Sequence, residues 1–323
     1  MNNLRMTVIG GGSVGLGLAA SFALAGASVI LMARAGSVDT LRTEAITVSG
    51  LLGEHSVEPG RIAIEDADHP TLAGLDCDVL VVTTKAYDVA DALRPYAAPD
   101  APARPHAIVL MQNGVGSAEA AREVMGPDTP VFSTAMLIGV QRHGLNHVSV
   151  NAHSGPVRTG SLLGDDVQAI TPMLEVAGRG FLPMVHEPNI QQTIFAKLLF
   201  NTCMNPTGAL IGRSYGELLE NEHSRSLIGH LADETLRVFA SSTGYRPAKN
   251  GRHYVEDTLI PLVIPRSALH RSSMVQDLES GRRTEIDYLN GAIVRMGREV
   301  GIDTPFHQSI VALIHARSQW GQC

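Results

Sequence analysis

"MTVIGGGSVGLGLAASFALAGASVILMAR", residues 6–34, is the stretch whose reading decides the fold. A short apolar run, MTVIG at 6–10, meets a cluster of glycines. An Ala-rich segment over 14–25 follows, and then a second apolar run, ASVILMAR at 27–34. Continuous apolar runs on either side of a helical segment are what a parallel sheet covered on both faces requires. Gly10, Gly11, Gly12, Ser13, Val14 and Gly15 fit the spacing G-x-G-x-x-G between that strand and that helix. There the first glycine permits a tight turn, the second lets backbone approach a pyrophosphate, and the third lets helix and strand pack closely. The phosphates then sit at the positive end of the helix dipole. The competing reading is a Gly-rich turn in some other α/β fold.

Outward from this stretch the same alternation continues. CDVLVVTTK (77–85) is followed by a helical AYDVADALRPY and then by AIVLMQNG (107–114). PVFSTAMLIGV and NHVSVNA extend that sheet with a hairpin, and AAPDAPARP (97–105) reads as a solvated loop. Past residue 186 helical patterns dominate, over 188–211, 221–243, 250–262, 272–280, 284–301 and 306–320. The expectation is a Rossmann-type α/β domain over 1–186 followed by an all-helical domain over 187–323, with the boundary near Val185–Pro188.

Bulk composition narrows the function classes. The 323 residues suit two domains, and 44% hydrophobic with 18% charged residues is ordinary for a soluble globular protein. A net charge of −7 without a basic run argues against a nucleic-acid partner. Cys77, Cys203 and Cys323 have neither metal-ligand spacing nor a disulfide framework, and no metal is inferred. With no export signal in MNNLRMTVIGGGSVG and no apolar run of about 20 residues, the expected location is cytoplasmic, with no membrane partner.

Two further features point to chemistry. The second strand ends in Arg34 where NAD-binding folds usually place a carboxylate, so a 2′-phosphate, and hence NADP, is favoured; a plain surface arginine is the alternative. In FAKLLFNTCMNP (195–206), Lys197, Asn201 and Asn205 recur at i, i+4 and i+8, on one helix face among core-type residues. A desolvated lysine whose pKa falls toward neutrality can protonate an alkoxide formed by hydride transfer. Amides one and two turns on can hydrogen-bond a carboxylate or hydroxyl without adding charge. An exposed polar stripe, or amides that merely hold loops, would give the same spacing.

The ordered set GGGSVG, Arg34, TTKAYDV, QNGVGS, AKLLFNTCMNP and SSMVQDLESGRRTEIDYLNG resembles the ketopantoate reductase (2-dehydropantoate 2-reductase) family across nearly the whole chain. The resemblance implies NADPH-dependent reduction of 2-dehydropantoate to D-pantoate, a step of pantothenate biosynthesis. It implies that Lys197 is the general acid, that Asn201 and Asn205 contact the substrate, and that Ser273 binds its carboxylate. It also implies that Lys85, Asn113 and Glu285 sit at the cofactor, with Asn113 facing the substrate too. Two positions depart from the family: Tyr215 and His270 stand where members best matched to ketopantoate carry asparagine. Another branched or aromatic 2-keto acid is therefore the alternative substrate, and a non-catalytic NADP-binding regulator the alternative class. His270 could bind a carboxylate or be an exposed histidine at a helix end. A homodimer is compatible with the helical second domain.

Overall fold

The computed structural model of the protein describes residues 4–71, 76–98, 101 and 104–320. Cys323 and residues 99–100 and 102–103 of the Ala/Pro-rich loop lie outside the described residues. The chain divides into two compact units, Met1–Gln112 with Ser117–Gln191 and Asn113–Gly116 with Gln192–Cys323.

In the first unit β1 (Arg5–Ile9), α1 (Ser13–Leu24), β2 (Ser28–Ala33) and α2 (Ala35–Thr43) lead into β3 (Ile46–Gly50), β4 (His55–Val57) and β5 (Ala63–Asp66). Then come β6 (Val79–Val82), α3 (Val89–Ala97), β7 (Ala107–Leu110), α4 (Ser117–Met125) and β8 (Val131–Ala135). β9 (Ile138–Arg142), β10 (His147–His153), β11 (Val157–Gly160), α5 (Thr171–Ala177) and β12 (Met184–His186) complete it. Eight strands form one sheet in the order β12-β11-β8-β7-β6-β1-β2-β5. It is parallel throughout except where β11 meets β8. Counted along its parallel strands, β5-β2-β1-β6-β7-β8 is the doubly wound order 3-2-1-4-5-6, whose strand order reverses between β1 and β6. The expected α/β fold is present, and that reversal lies beside the glycine loop.

One expectation is corrected. PVFSTAMLIGV and NHVSVNA do not simply extend the main sheet. The first splits, giving fully buried β8 to the eight-stranded sheet and half-buried β9 to a second sheet ordered β4-β3-β10-β9. β10 pairs with β9 as the expected hairpin and with β3 in parallel. This smaller sheet packs on α1, with Val48, Val57, Val148 and Val150 joining Leu16, Phe22 and Leu31 in one core. A helix with sheets on both sides needs no polar stripe, and SVGLGLAASFAL has none.

The second unit is helical: α6 (Ile190–Ile211), α7 (Tyr215–Glu220), α8 (Glu222–Thr243), α9 (Gly251–Tyr254) running on as a π-helical stretch Val255–Val263, α10 (Ser273–Glu279), α11 (Asn290–Glu299) and α12 (Pro305–Trp320). The helix expected over 284–301 begins only at Asn290. Ile286–Tyr288 form a separate 3-10 turn, and Leu289, at φ −104° and ψ −95°, interrupts the helical path. That interruption puts Glu285 ahead of a turn instead of inside a helix. Among the described residues no helix is long and apolar enough to cross a membrane, and no group of three or more His, Cys, Asp or Glu is placed to hold a metal.

Candidate active site

The glycine loop carries β1 into α1. Gly10 leaves β1 with φ +114°, in the left-handed region, and its N–H bonds to Met32 O at 2.9 Å. A Cβ on Gly15 would lie 1.7 Å from Gly10 O, and one on Gly10 2.7 Å from Thr83 Oγ1. Thr83 Oγ1 in turn lies 2.9 Å from both Ile9 O and Gly10 O. Gly12 differs: a Cβ there would meet nothing within 4 Å. The protein itself does not demand glycine at 12. The open space fits a group approaching the backbone from outside, against the first-turn N–H groups of Ser13 and Val14, which a helix cannot satisfy alone.

Two orphaned polar atoms stand at the same edge of the sheet. Thr84 Oγ1 and Gln112 Oε1 are buried without a hydrogen-bond partner, while Gln112 Nε2 donates to Val82 O at 3.0 Å and Thr84 O at 2.9 Å. Buried polar atoms left this way call for a ligand or water. These residues therefore fit a dinucleotide along the carboxyl ends of β1, β6 and β7. Lys85, half-buried, precedes the turn Ala86–Asp88. Arg34 follows β2 directly, is 87% exposed, and lies 3.9 Å from Asp88 Oδ2, a loose solvent-screened pair that leaves its guanidinium available. Sequence reasoning passed over Thr84 and Gln112, although both lie inside the motifs TTKAYDV and QNGVGS.

The second unit gathers the residues expected to meet the substrate. α6 is buried nearly all round, with Phe195, Leu198, Leu199, Cys203 and Met204 in the core. Asn201 and Asn205 are nonetheless 7% and 6% exposed, so the three polar positions are no solvated stripe. Lys197 keeps a modest accessible surface, yet burial lowers its ammonium pKa to about 8, partly opposed by the negative charge of Glu285. Glu285 is itself buried, its carbonyl accepting from Tyr288 N at 3.0 Å and Leu289 N at 3.2 Å. Asn113–Gly116 docks on that turn: Val115 N donates to Tyr288 O, and a Cβ on Gly114 would lie 2.0 Å from the same oxygen. Gly114, at φ +83°, thus brings the segment carrying Asn113 against the turn that follows Glu285.

Around Asn205 the two departing residues come together. Tyr215 Oη donates to Asn205 Oδ1 at 2.7 Å, and its ring packs edge-on against Phe200 and tilted against His270, centroids 5.1 Å apart in the latter pair. Tyr215 N donates to His270 O at 3.1 Å, and Gly216 N to Ala268 O at 2.8 Å. Burial pushes the Tyr215 phenol well above its ordinary pKa and the His270 imidazole below its own, so both are neutral near pH 7. His270 is half-buried in the segment before α10, not an exposed helix-end residue. Ser272 caps α10 by accepting from Val275 N, and donates to Asn205 O at 3.3 Å. Its neighbour Ser273 is left exposed at the first position of α10. The cap role of Ser272 was readable from a serine ahead of a helical run.

Known proteins bear on this arrangement. Family models described as "Ketopantoate reductase PanE/ApbA" and "Ketopantoate reductase PanE/ApbA C terminal" match residues 6–164 and 189–318. A 2-dehydropantoate 2-reductase of Shigella flexneri is 30% identical over 73% of each chain. One of Aquifex aeolicus is 26% identical over 97% of each. Among solved structures, D-mandelate dehydrogenase with NADH and anilino(oxo)acetate superposes with a TM-score of 0.83 at 21% identity, over 99% of both chains.

Proposed function

This chain belongs to the ketopantoate reductase family, oxidoreductases acting on CH–OH groups, and we propose that it reduces a 2-keto acid with NADPH, 2-dehydropantoate first among them, to D-pantoate. The first unit holds the cofactor in this reading and the second holds the acid. Bound NADPH supplies the hydride. Lys197 stabilises the oxygen that gains charge at C2 and gives it a proton. Asn201, Asn205 and Asn113 orient the keto acid, and Ser273 receives its carboxylate. The backbone of Gly10–Gly15 carries the pyrophosphate, Arg34 the 2′-phosphate, and Lys85 and Glu285 the remaining cofactor contacts.

The observation that carries the reading is the state of Lys197. An ammonium with a pKa near 8, on a buried helix face with two amides, is poised to donate a proton near neutrality, which a sensor of cofactor does not need. The test is the initial rate of NADPH consumption with 2-dehydropantoate beside a panel of 2-keto acids. A kcat/KM of about 10⁴ M⁻¹s⁻¹ or more for one of them, lost in Lys197→Ala, is the expected result. No turnover with any 2-keto acid would leave the cofactor-binding regulator as the better account.

A second substrate reading has its own observation. With Tyr215 Oη donating to Asn205 Oδ1, that amide keeps its two N–H groups and one oxygen lone pair, and an aromatic ring stands where the family's best ketopantoate reducers place an amide. Such a pocket suits a branched or aromatic 2-keto acid whose tail carries no hydroxyl, and the D-mandelate dehydrogenase likeness agrees with it. Tyr215→Asn should then move the preference toward 2-dehydropantoate by roughly tenfold or more; an unchanged ranking of substrates would remove this reading. A cytoplasmic setting accords with the free buried thiols Cys77 and Cys203. Leu262 and Leu269, 65% and 92% exposed, supply apolar surface for a homodimer.

A further inference from the structure

Pro206 lies inside α6, immediately after Asn205. A proline has no N–H, so the carbonyl four residues earlier, Thr202 O, cannot receive its helical hydrogen bond. That carbonyl is not left bare. Asn290 Nδ2, at the start of α11 and 0% exposed, donates to it at 2.9 Å. The proline-made defect falls between Asn201 and Asn205, and a side chain 88 residues away fills it.

Asn290 is itself held from behind. Its Nδ2 also lies 3.0 Å from His307 Nδ1, while His307 Nε2 lies 3.0 Å from Leu231 O and 2.9 Å from Thr235 Oγ1. Leu231 O can only accept, so Nε2 carries the hydrogen. Nδ1 then accepts from Asn290 in the neutral imidazole. Thr235 Oγ1 gives its own proton to Leu231 O at 3.0 Å and accepts from the ring. The backbone N–H groups of Phe306 and His307 are fixed by the Glu234 carboxylate at 3.0 and 3.1 Å. Asn290 Oδ1 remains buried without a partner, a cost accepted to keep both amide hydrogens engaged. On its other side Asn290 follows Leu289, whose N–H bonds to Glu285 O at 3.2 Å. One amide thus ties the interrupted turn of α6 to the turn that Glu285 begins.

We propose that Asn290, set by His307, is a positioning residue: it replaces the hydrogen bond that Pro206 removes and so fixes Asn201 and Asn205 relative to the Glu285 turn. Its kinetic consequence rests on the function proposed above, while its structural part does not. Neither Asn290 nor His307 touches substrate or cofactor in this account.

The test uses the logic of the missing N–H. Asn290→Leu leaves Thr202 O without a donor, and Pro206→Ala gives the helix its own N–H back. In the full-length protein, Asn290→Leu should raise KM for the 2-keto acid ten- to hundredfold, on the order that a misplacement of about 1 Å costs, with KM for NADPH within about twofold. The double variant Asn290→Leu/Pro206→Ala should recover most of that loss. A double variant no better than Asn290→Leu, in kinetics or in folding, overturns the proposal, as does an Asn290→Leu enzyme with unchanged KM. His307→Gln, whose Oε1 can still accept from Asn290, should retain substrate KM where His307→Phe raises it; equal KM in the two overturns the role given to His307. The melting temperatures of wild type, Asn290→Leu, Pro206→Ala and the double variant read the Asn290–Pro206 coupling without substrate. If wild type turns over no 2-keto acid, the function reading fails while non-additive melting still supports the link, and additive melting refutes it.

Discussion

Lys197 sets the expected pH dependence. In the proposed reaction Lys197 donates the proton and must be charged, and burial places its pKa near 8. Reduction at saturating substrate should therefore be near its plateau at pH 6–7, fall to about half near pH 8 and decline further above it, a limb that initial rates across pH 6–10 would trace and that Lys197→Met should abolish along with most turnover. A lysine whose folded pKa lies below its free value of 10.5 destabilises the fold wherever it must be charged. Lys197→Met should thus raise the unfolding free energy at pH 7, by up to about 3 kcal/mol from the 1.36 kcal/mol that each pKa unit represents, read from urea titration. A neutral or destabilising effect would mean that the ammonium is better solvated than its place on α6 indicates.

At the scale of elements, the glycine loop separates two jobs that a motif runs together. Gly15→Ala drives a Cβ onto Gly10 O and should lower the melting temperature as well as cofactor binding. Gly12→Ala meets no protein atom, so its melting temperature should hold while affinity for NADPH falls; titration of NADPH fluorescence with each variant distinguishes the two. An equal affinity in Gly12→Ala and wild type would move the pyrophosphate away from this loop. The strand–loop–helix unit was legible because its apolar runs and glycines are local in sequence. The second sheet was less so. ITVSG and HSV are strands of five residues or fewer with polar members, and ITVSG is paired by β10 from about 100 residues away. The one cue was α1 itself, too apolar all round to cover a single sheet. On α6 the spacing of Lys197, Asn201 and Asn205 left open an exposed stripe, and only their burial removes that reading. Asn290 and His307 gave no sign at all, because their meaning depends on a carbonyl that Pro206 leaves unpaired on another helix.

For the whole molecule, the buried histidine contributes to the acid limb of stability. His307 is neutral in the fold, its pKa pushed down from 6.5 to about 4 by burial. A base with a depressed folded pKa contributes stability present above its unfolded pKa and lost as pH falls through the folded one. Melting should accordingly weaken between pH 6.5 and 4, by on the order of 3 kcal/mol for this group. Glu234, whose carboxyl burial raises, opposes the trend by becoming easier to protonate in the fold. His307→Gln should flatten the slope over that window, and an unchanged slope would assign it elsewhere. The path of the chain carries a last consequence for dissection of the protein. Because Asn113–Gly116 belongs with the helical unit, the polypeptide enters that unit twice, once for four residues and once for good. No single cut therefore separates the two. A fragment ending at Gln191 retains a short loop whose partner, Tyr288 O, has been removed, and a fragment starting at Gln192 exposes that oxygen. Mixing the halves as a split enzyme, with the loop as the recognition element, is the route by which such pieces would regain activity.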